Sequence, residues 1–89
     1  METRVAVLGI IVEDSQSIDD LNTILHQYAY CIIGRMGIPY RKRDINIISV
    51  AIEATQKEIS ALSGKIGRLP GIACKTAYSG LTYQGESHE

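Results

Sequence analysis

The sequence predicts an α+β domain with the element order βαββαβ, and three observations lead there. Two apolar, β-branched runs, Val5 to Val12 and Ile45 to Ile52, have the form of strands buried on both faces. Two other stretches carry apolar residues at steps of three and four, the mark of amphipathic helices. After each helical stretch the pattern returns to strand-like segments bounded by Gly, Pro and charged residues.

Taken in order, Val5 to Val12 is the first strand and a central one. Glu13-Asp14-Ser15-Gln16 breaks the run. Ser17, followed by Asp19 and Asp20, offers an N-cap and first-turn carboxylates suited to the positive end of a helix. Ile18, Leu21, Leu25, Tyr28 and Ile32 then form one stripe, so the first helix is expected to run from Ser17 to about Gly34. Residues 35 to 54 read as a hairpin. Arg35 to Tyr40, with Gly37 and Pro39, suits a sheet edge, where a missing N–H costs no ladder bond. Arg41 to Asp44 is its turn, and Ile45 to Ile52 belongs beside the first strand. Thr55 and Glu58 have the spacing of a capping box at a helix start. Ile59, Leu62, Ile66 and Leu69 are that helix's apolar stripe. Leu69-Pro70-Gly71 turns the chain into a last strand, Ile72 to Tyr78. The single domain is therefore expected over residues 1–78, with 79–89 a flexible tail.

Right-handed crossovers in this order place both helices on one face of a four-stranded antiparallel sheet, the ferredoxin-like arrangement. The other face is then a problem. Val5, Val7, Ile11, Ile45 and Ile47 alternate with the helix-facing Leu8, Ile10, Val12, Ile48, Val50 and Ile52, and no element remains to cover them. Leaving five aliphatic side chains in water forgoes roughly 7 to 15 kcal/mol, comparable with the stability of a small domain. A second copy meeting the first through this face is the expected remedy, so a homo-oligomer, dimer or tetramer, is predicted with these five residues at its interface.

Composition narrows the function. Lys plus Arg is 9 against 10 for Asp plus Glu in 89 residues, without the basic excess of a duplex-binding domain, so direct nucleic-acid binding is not expected. The start of the chain lacks a leader's apolar core, and no apolar run is long enough to span a bilayer, so a cytoplasmic protein off the membrane is expected. Cys31 and Cys74 form no CxxC pair, and in a reducing compartment both are read as buried thiols.

Few motifs carry chemistry. Ser63-Gly64-Lys65 lacks the Gly and the Ser or Thr that a phosphate loop requires, since Ile59 and Ile66 stand there. Gly64 and Gly67 are read first as points of close helix approach and second as ligand contacts. Arg41, Lys42 and Arg43, with Arg35 nearby, are a candidate contact for an anion or an acidic partner, against the plainer reading of a solvated turn. His26 and Cys31, five apart on a helix, point about 140° away from each other, and no metal site, catalytic set or cofactor is predicted. The loop Val12-Glu13-Asp14-Ser15 borders a helix N-terminus that can hold an anion or small polar ligand, with self-capping by its carboxylates as the rival reading.

The run Ala61-Leu62-Ser63-Gly64-Lys65-Ile66-Gly67-Arg68-Leu69-Pro70-Gly71-Ile72, followed by Lys75-Thr76, resembles the signature of the iron-only hydrogenase system regulator family. Ile11-Val12-Glu13-Asp14, Leu25-His26 and Arg35-Met36-Gly37-Ile38-Pro39 fit the same pattern, so the resemblance spans roughly residues 4–78. It implies an ACT-like, ferredoxin-like domain that oligomerises, similar to the effector-sensing domain of the nickel-responsive repressor. It also implies a regulatory, transcription-linked role. The DNA-binding arm and the several nickel-site histidines of that repressor have no counterpart here. The expected function is therefore a non-enzymatic effector-sensing oligomer that passes its state to a protein partner. The small effector is expected to sit near Val12 to Ser15 with Gly64 and Gly67. The alternative is a structural assembly module that uses the apolar face and the basic hairpin.

Overall fold

The computed structural model describes residues 1–84. Its strands are β1 (Glu2–Val12), β2 (Ile32–Tyr40), β3 (Ile45–Ala54) and β4 (Ile72–Gln84), and its helices are α1 (Ile18–Gln27) and α2 (Gln56–Gly67). The sheet order is β2-β3-β1-β4, every neighbour antiparallel, which is the ferredoxin-like arrangement with β1 and β3 central. Pro39 lies on β2, the edge strand, as its missing donor requires.

One face of the sheet packs on the helices. Leu8, Ile10, Val12, Val50 and Ile52 from the central strands are fully buried against Leu21, Leu25, Ile59, Leu62 and Ile66. The register pairs Leu8 with Val50, Ile10 with Ile48 and Ala6 with Ile52, so the inward residues of β1 and β3 form one continuous layer. Helix α2 begins on the predicted capping box. The Glu58 N–H donates to the Thr55 hydroxyl, and the Thr55 N–H donates to the Glu58 carboxylate.

Three features differ from expectation. The first helix stops at Gln27, well before Gly34. Tyr28 leaves helical geometry, Ala29–Cys31 forms a 3-10 turn, and Ile32 already belongs to β2. The 3-10 turn keeps Tyr28 and Cys31 three apart on the buried side, so the helical spacing continues through a segment that is no longer α-helix. Ser17 does not cap α1 with its side chain. Its hydroxyl instead donates to the Pro70 carbonyl at 2.6 Å, while Asp14 caps the short turn Ser15–Ser17 by accepting from the Gln16 N–H.

Strand β4 also runs past Tyr78 to Gln84, so the boundary expected at residue 79 moves outward. A bulge opposite Val5 shifts the register, after which Arg4, Thr3 and Glu2 pair with Thr82, Tyr83 and Gln84. Arg4 ties down the bulge. Its guanidinium stacks 4.4 Å from the Tyr78 ring centroid and donates to the Ser79 carbonyl and to Gln56. Polar, glycine-containing sequence hid this strand, because its order comes from pairing with β1 and not from an apolar pattern. The remainder of the expected tail lies outside the described residues.

Candidate functional site

The feature that most needs a function is the uncovered face of the sheet. Val5, Val7, Ile11, Ile45 and Ile47 all lie on it, as predicted from alternation. Val7, Ile11 and Ile47 are each 41–42% exposed, while Val5 and Ile45 are half-buried. The edge strand adds Met36 and Ile38, which the sequence reading did not place there. Ile38, Ile47, Ile11 and Ala73 stand side by side across the four strands, and Met36, Ser49, Gly9 and Lys75 form the next row. Alternation along β2 was the signal for these two residues, but Gly37 and Pro39 obscured it. Neighbours within the sheet already shield more than half of each central side chain. Covering the remaining exposed part of Val7, Ile11, Ile47, Met36 and Ile38 is worth about 4 to 7 kcal/mol per chain, less than the sequence estimate.

This face is not flat. Gly9, Ser49 and Ala73 carry little or no side chain between Ile11, Ile47 and Lys75, leaving an apolar depression of about 350 Å³. A Cβ at Gly9 would meet only the Lys75 carbonyl at 3.8 Å, an ordinary contact, so the monomer's own packing does not demand glycine there.

In the loop put forward for ligand binding, the Glu13 backbone and the Asp14 carboxylate are engaged with the chain itself. The Glu13 N–H donates to the Gly71 carbonyl at 2.7 Å, Asp14 is spent on its turn, and Ser17 is tied to Pro70. Gly71 is the glycine this end requires. Its φ is +67°, and an added Cβ would lie 2.5 Å from the Asp14 Cβ and 2.9 Å from the Asp14 nitrogen. Gly64 and Gly67 are not points of close helix approach. A Cβ at Gly64 would meet only the end of Arg68 at 3.6 Å, and one at Gly67 would meet nothing within 4 Å, so no helix approaches closely there. The loop 12–15 is joined to the α2–β4 turn through residues 70 and 71, not through either helical glycine.

The basic set is split. Arg41, Lys42 and Arg43 form an exposed 3-10 turn at the hairpin tip, closed by Asp44 in the left-handed conformation. Arg35 is six residues back along β2, about 20 Å for an extended strand. It lies on the helix side, where its Nη2 donates to Asn22 Oδ1 at 3.0 Å.

A second cluster joins the end of α1 to α2. The Tyr28 and Tyr30 rings stack with centroids 6.3 Å apart, Lys65 lies 5.1 Å from the Tyr28 ring, and the Tyr30 hydroxyl donates to Glu58 at 2.6 Å. The hydrogen bond to the Glu58 carboxylate, with some burial, pushes the Tyr30 phenol well above its usual range. Burial raises the thiol pKa of both Cys31 and Cys74, and both thiols are free. Among the described residues no three of His, Cys, Asp or Glu gather as metal ligands would, and no helix is long and apolar enough to cross a membrane.

Residues 4–76 match the family model TM1266-like, described as "Iron-only hydrogenase system regulator, putative". The chain belongs to this family. The solved structure of the uncharacterized protein TM1266 from Thermotoga maritima is 31% identical, with a TM-score of 0.82, covering 85% of this chain and 96% of that one. The fold recurs in the C-terminal domain of the MgtC protein from Mycobacterium tuberculosis at 12% identity and a TM-score of 0.65, covering 85% of this chain and 87% of that domain. It recurs too in a formyltetrahydrofolate deformylase from Pseudomonas putida KT2440 at 13% identity and a TM-score of 0.58, covering 82% of this chain but only 28% of the enzyme. These last two likenesses concern the fold alone. No curated protein matches the sequence.

Proposed function

We propose that this member of the iron-only hydrogenase system regulator family is a cytoplasmic, effector-binding regulatory subunit. It works as a homo-oligomer, dimer or tetramer, and acts through a protein partner instead of contacting DNA or turning over a substrate. The observation that carries this reading is the apolar sheet face. Ile11, Ile38 and Ile47 stand in one exposed row beside a depression that the monomer's own packing leaves unfilled. A second copy offers the same aliphatic surface in return, which is what a closed isologous contact needs.

Native mass spectrometry of the freshly purified chain tests it, since one spectrum reports both subunit count and retained small molecules. A dimer or tetramer is expected, reduced to monomer by Ile47→Glu or Gly9→Glu with unchanged circular dichroism. Extra mass on the oligomer would begin to identify the effector. A clean wild-type monomer at micromolar concentration would overturn the reading.

The exposed turn Arg41-Lys42-Arg43 favours a second element, an acidic protein surface as the partner that receives the signal. Arg41→Glu with Arg43→Glu should abolish that association without changing the subunit count.

A further inference from the structure

We infer that the groove between α1 and the edge strand β2 binds a small aliphatic carboxylate. The inference deepens the effector-binding reading above and rests on it for the ligand's regulatory meaning. The groove has a volume of about 330 Å³ and is lined by Asn22, Leu25, His26, Ala29, Ile32 and Arg35. Asn22 and His26 are four apart on α1 and so lie one above the other on its surface. Arg35 faces them from β2.

The electrostatics select an anion. Arg35 is held by a neutral amide, its Nη2 donating to Asn22 Oδ1 at 3.0 Å, and it pairs with no carboxylate among the described residues. A guanidinium has five N–H donors in a rigid fork, so that one bond positions the group and leaves donors for a carboxylate's two oxygens. Holding the fork in place before binding reduces the ordering cost when the ligand arrives. His26 adds an imidazole at the same rim.

The floor selects the rest of the ligand. Leu25 is buried, Ile32 half-buried, and Ala29 keeps that side low, giving an aliphatic surface directly below the polar rim. No acidic side chain lines the groove, so an α-ammonium group would enter without a counter-charge beside an arginine. The site therefore favours a simple carboxylate over the zwitterionic amino acid of the same shape. By contrast, in the groove between the Tyr28–Tyr30 pair and α2, Tyr30 is engaged with Glu58 and Lys65 with the Tyr28 ring.

The test is a 15N-NMR titration of the full chain with 4-methylpentanoate, leucine and inorganic phosphate as separate probes. Saturable shifts are expected with 4-methylpentanoate at the amides of Asn22, His26, Ala29, Ile32 and Arg35. Binding should be weaker by about tenfold or more for leucine, for phosphate, and for the Arg35→Gln variant. Arg35 is exposed on an edge strand, so that variant should keep the wild-type spectrum elsewhere. An Arg35→Lys variant keeps the charge but loses the fork and should recover only part of the affinity. Equal binding of phosphate would reduce the site to a bare oxyanion contact and overturn the inference. So would equal binding of leucine, shifts centred on Arg41 to Arg43, or no saturation. Native mass spectrometry on the same samples separates the two readings. An oligomer that ignores 4-methylpentanoate sinks this inference alone, whereas a monomer that binds it sinks the oligomer reading alone.

Discussion

The two faces of this sheet are made of the same kinds of residue and end in different states. Ile10 and Ile11 are adjacent on β1. One lies fully buried under the helices, and the other is 42% exposed on the opposite side. Val50 and Ile47 on β3 repeat the contrast. Side-chain chemistry cannot account for the difference, since β-branched aliphatic residues occupy both faces. What differs is that α1 and α2 cover one face and nothing among the described residues covers the other. A strand apolar on both sides is the form expected between two layers, and the described residues supply one of them.

Alanine substitution at the adjacent pair is the sharpest way to break that comparison. Ile10→Ala should cost about 2 to 5 kcal/mol in urea unfolding, because it leaves a cavity in a packed core. Ile11→Ala should cost about 1 to 1.5 kcal/mol in the monomer, where only part of the side chain is buried. If the open face is sealed by another copy, the second value should climb with protein concentration while the first stays constant. Equal and concentration-independent costs would mean that the two faces are not as different as their exposures indicate.

Two connections at the same end of the sheet differ as sharply as its faces. The Glu13–Ser17 loop is bonded to Pro70 and Gly71, whereas the Arg41–Asp44 tip projects into solvent. Gly71→Ala should cost about 2 kcal/mol or more, from the left-handed backbone and the close Asp14 contact together. Asp44 holds a similar backbone angle, φ 56°, at the open tip, so Asp44→Ala should cost no more than about 1 kcal/mol. Thermal unfolding of the two variants side by side checks the ranking. Thr55→Ala, which removes the cap of α2, should fall near 1 kcal/mol in the same assay.

Legibility followed how local each signal was. The capping box and the sidedness of Val7, Ile11 and Ile47 follow from spacing within one element, the edge position of β2 and the pairing of β1 with β3 from the composition of each strand, and the structure reproduces them. The end of α1 was not legible, because a 3-10 turn preserves the rhythm of Tyr28 and Cys31 while changing the backbone. The extension of β4 to Gln84 was hidden because it depends on Glu2 to Arg4 as partners. The proposed carboxylate groove was beyond reach for the same reason. Arg35 seemed to belong with the hairpin arginines near it in sequence, and only the crossover from α1 to β2 brings it to Asn22 and His26.

The smallest effect bears on the helical glycines. Gly64 lies within α2, and an added methyl there would touch only the mobile end of Arg68 at an ordinary distance. Replacing it by alanine removes backbone freedom from the unfolded chain and creates no clash, so Gly64→Ala should stabilise the domain by up to about 1 kcal/mol. Chemical denaturation with native mass spectrometry on the same samples measures both consequences. A gain in stability with unchanged subunit count and retained mass would mean that the glycine serves neither packing nor ligand. A gain in stability accompanied by loss of subunits or of bound mass would instead place this bare patch of α2 against another molecule, and a second covered surface would have to be added to the open sheet face.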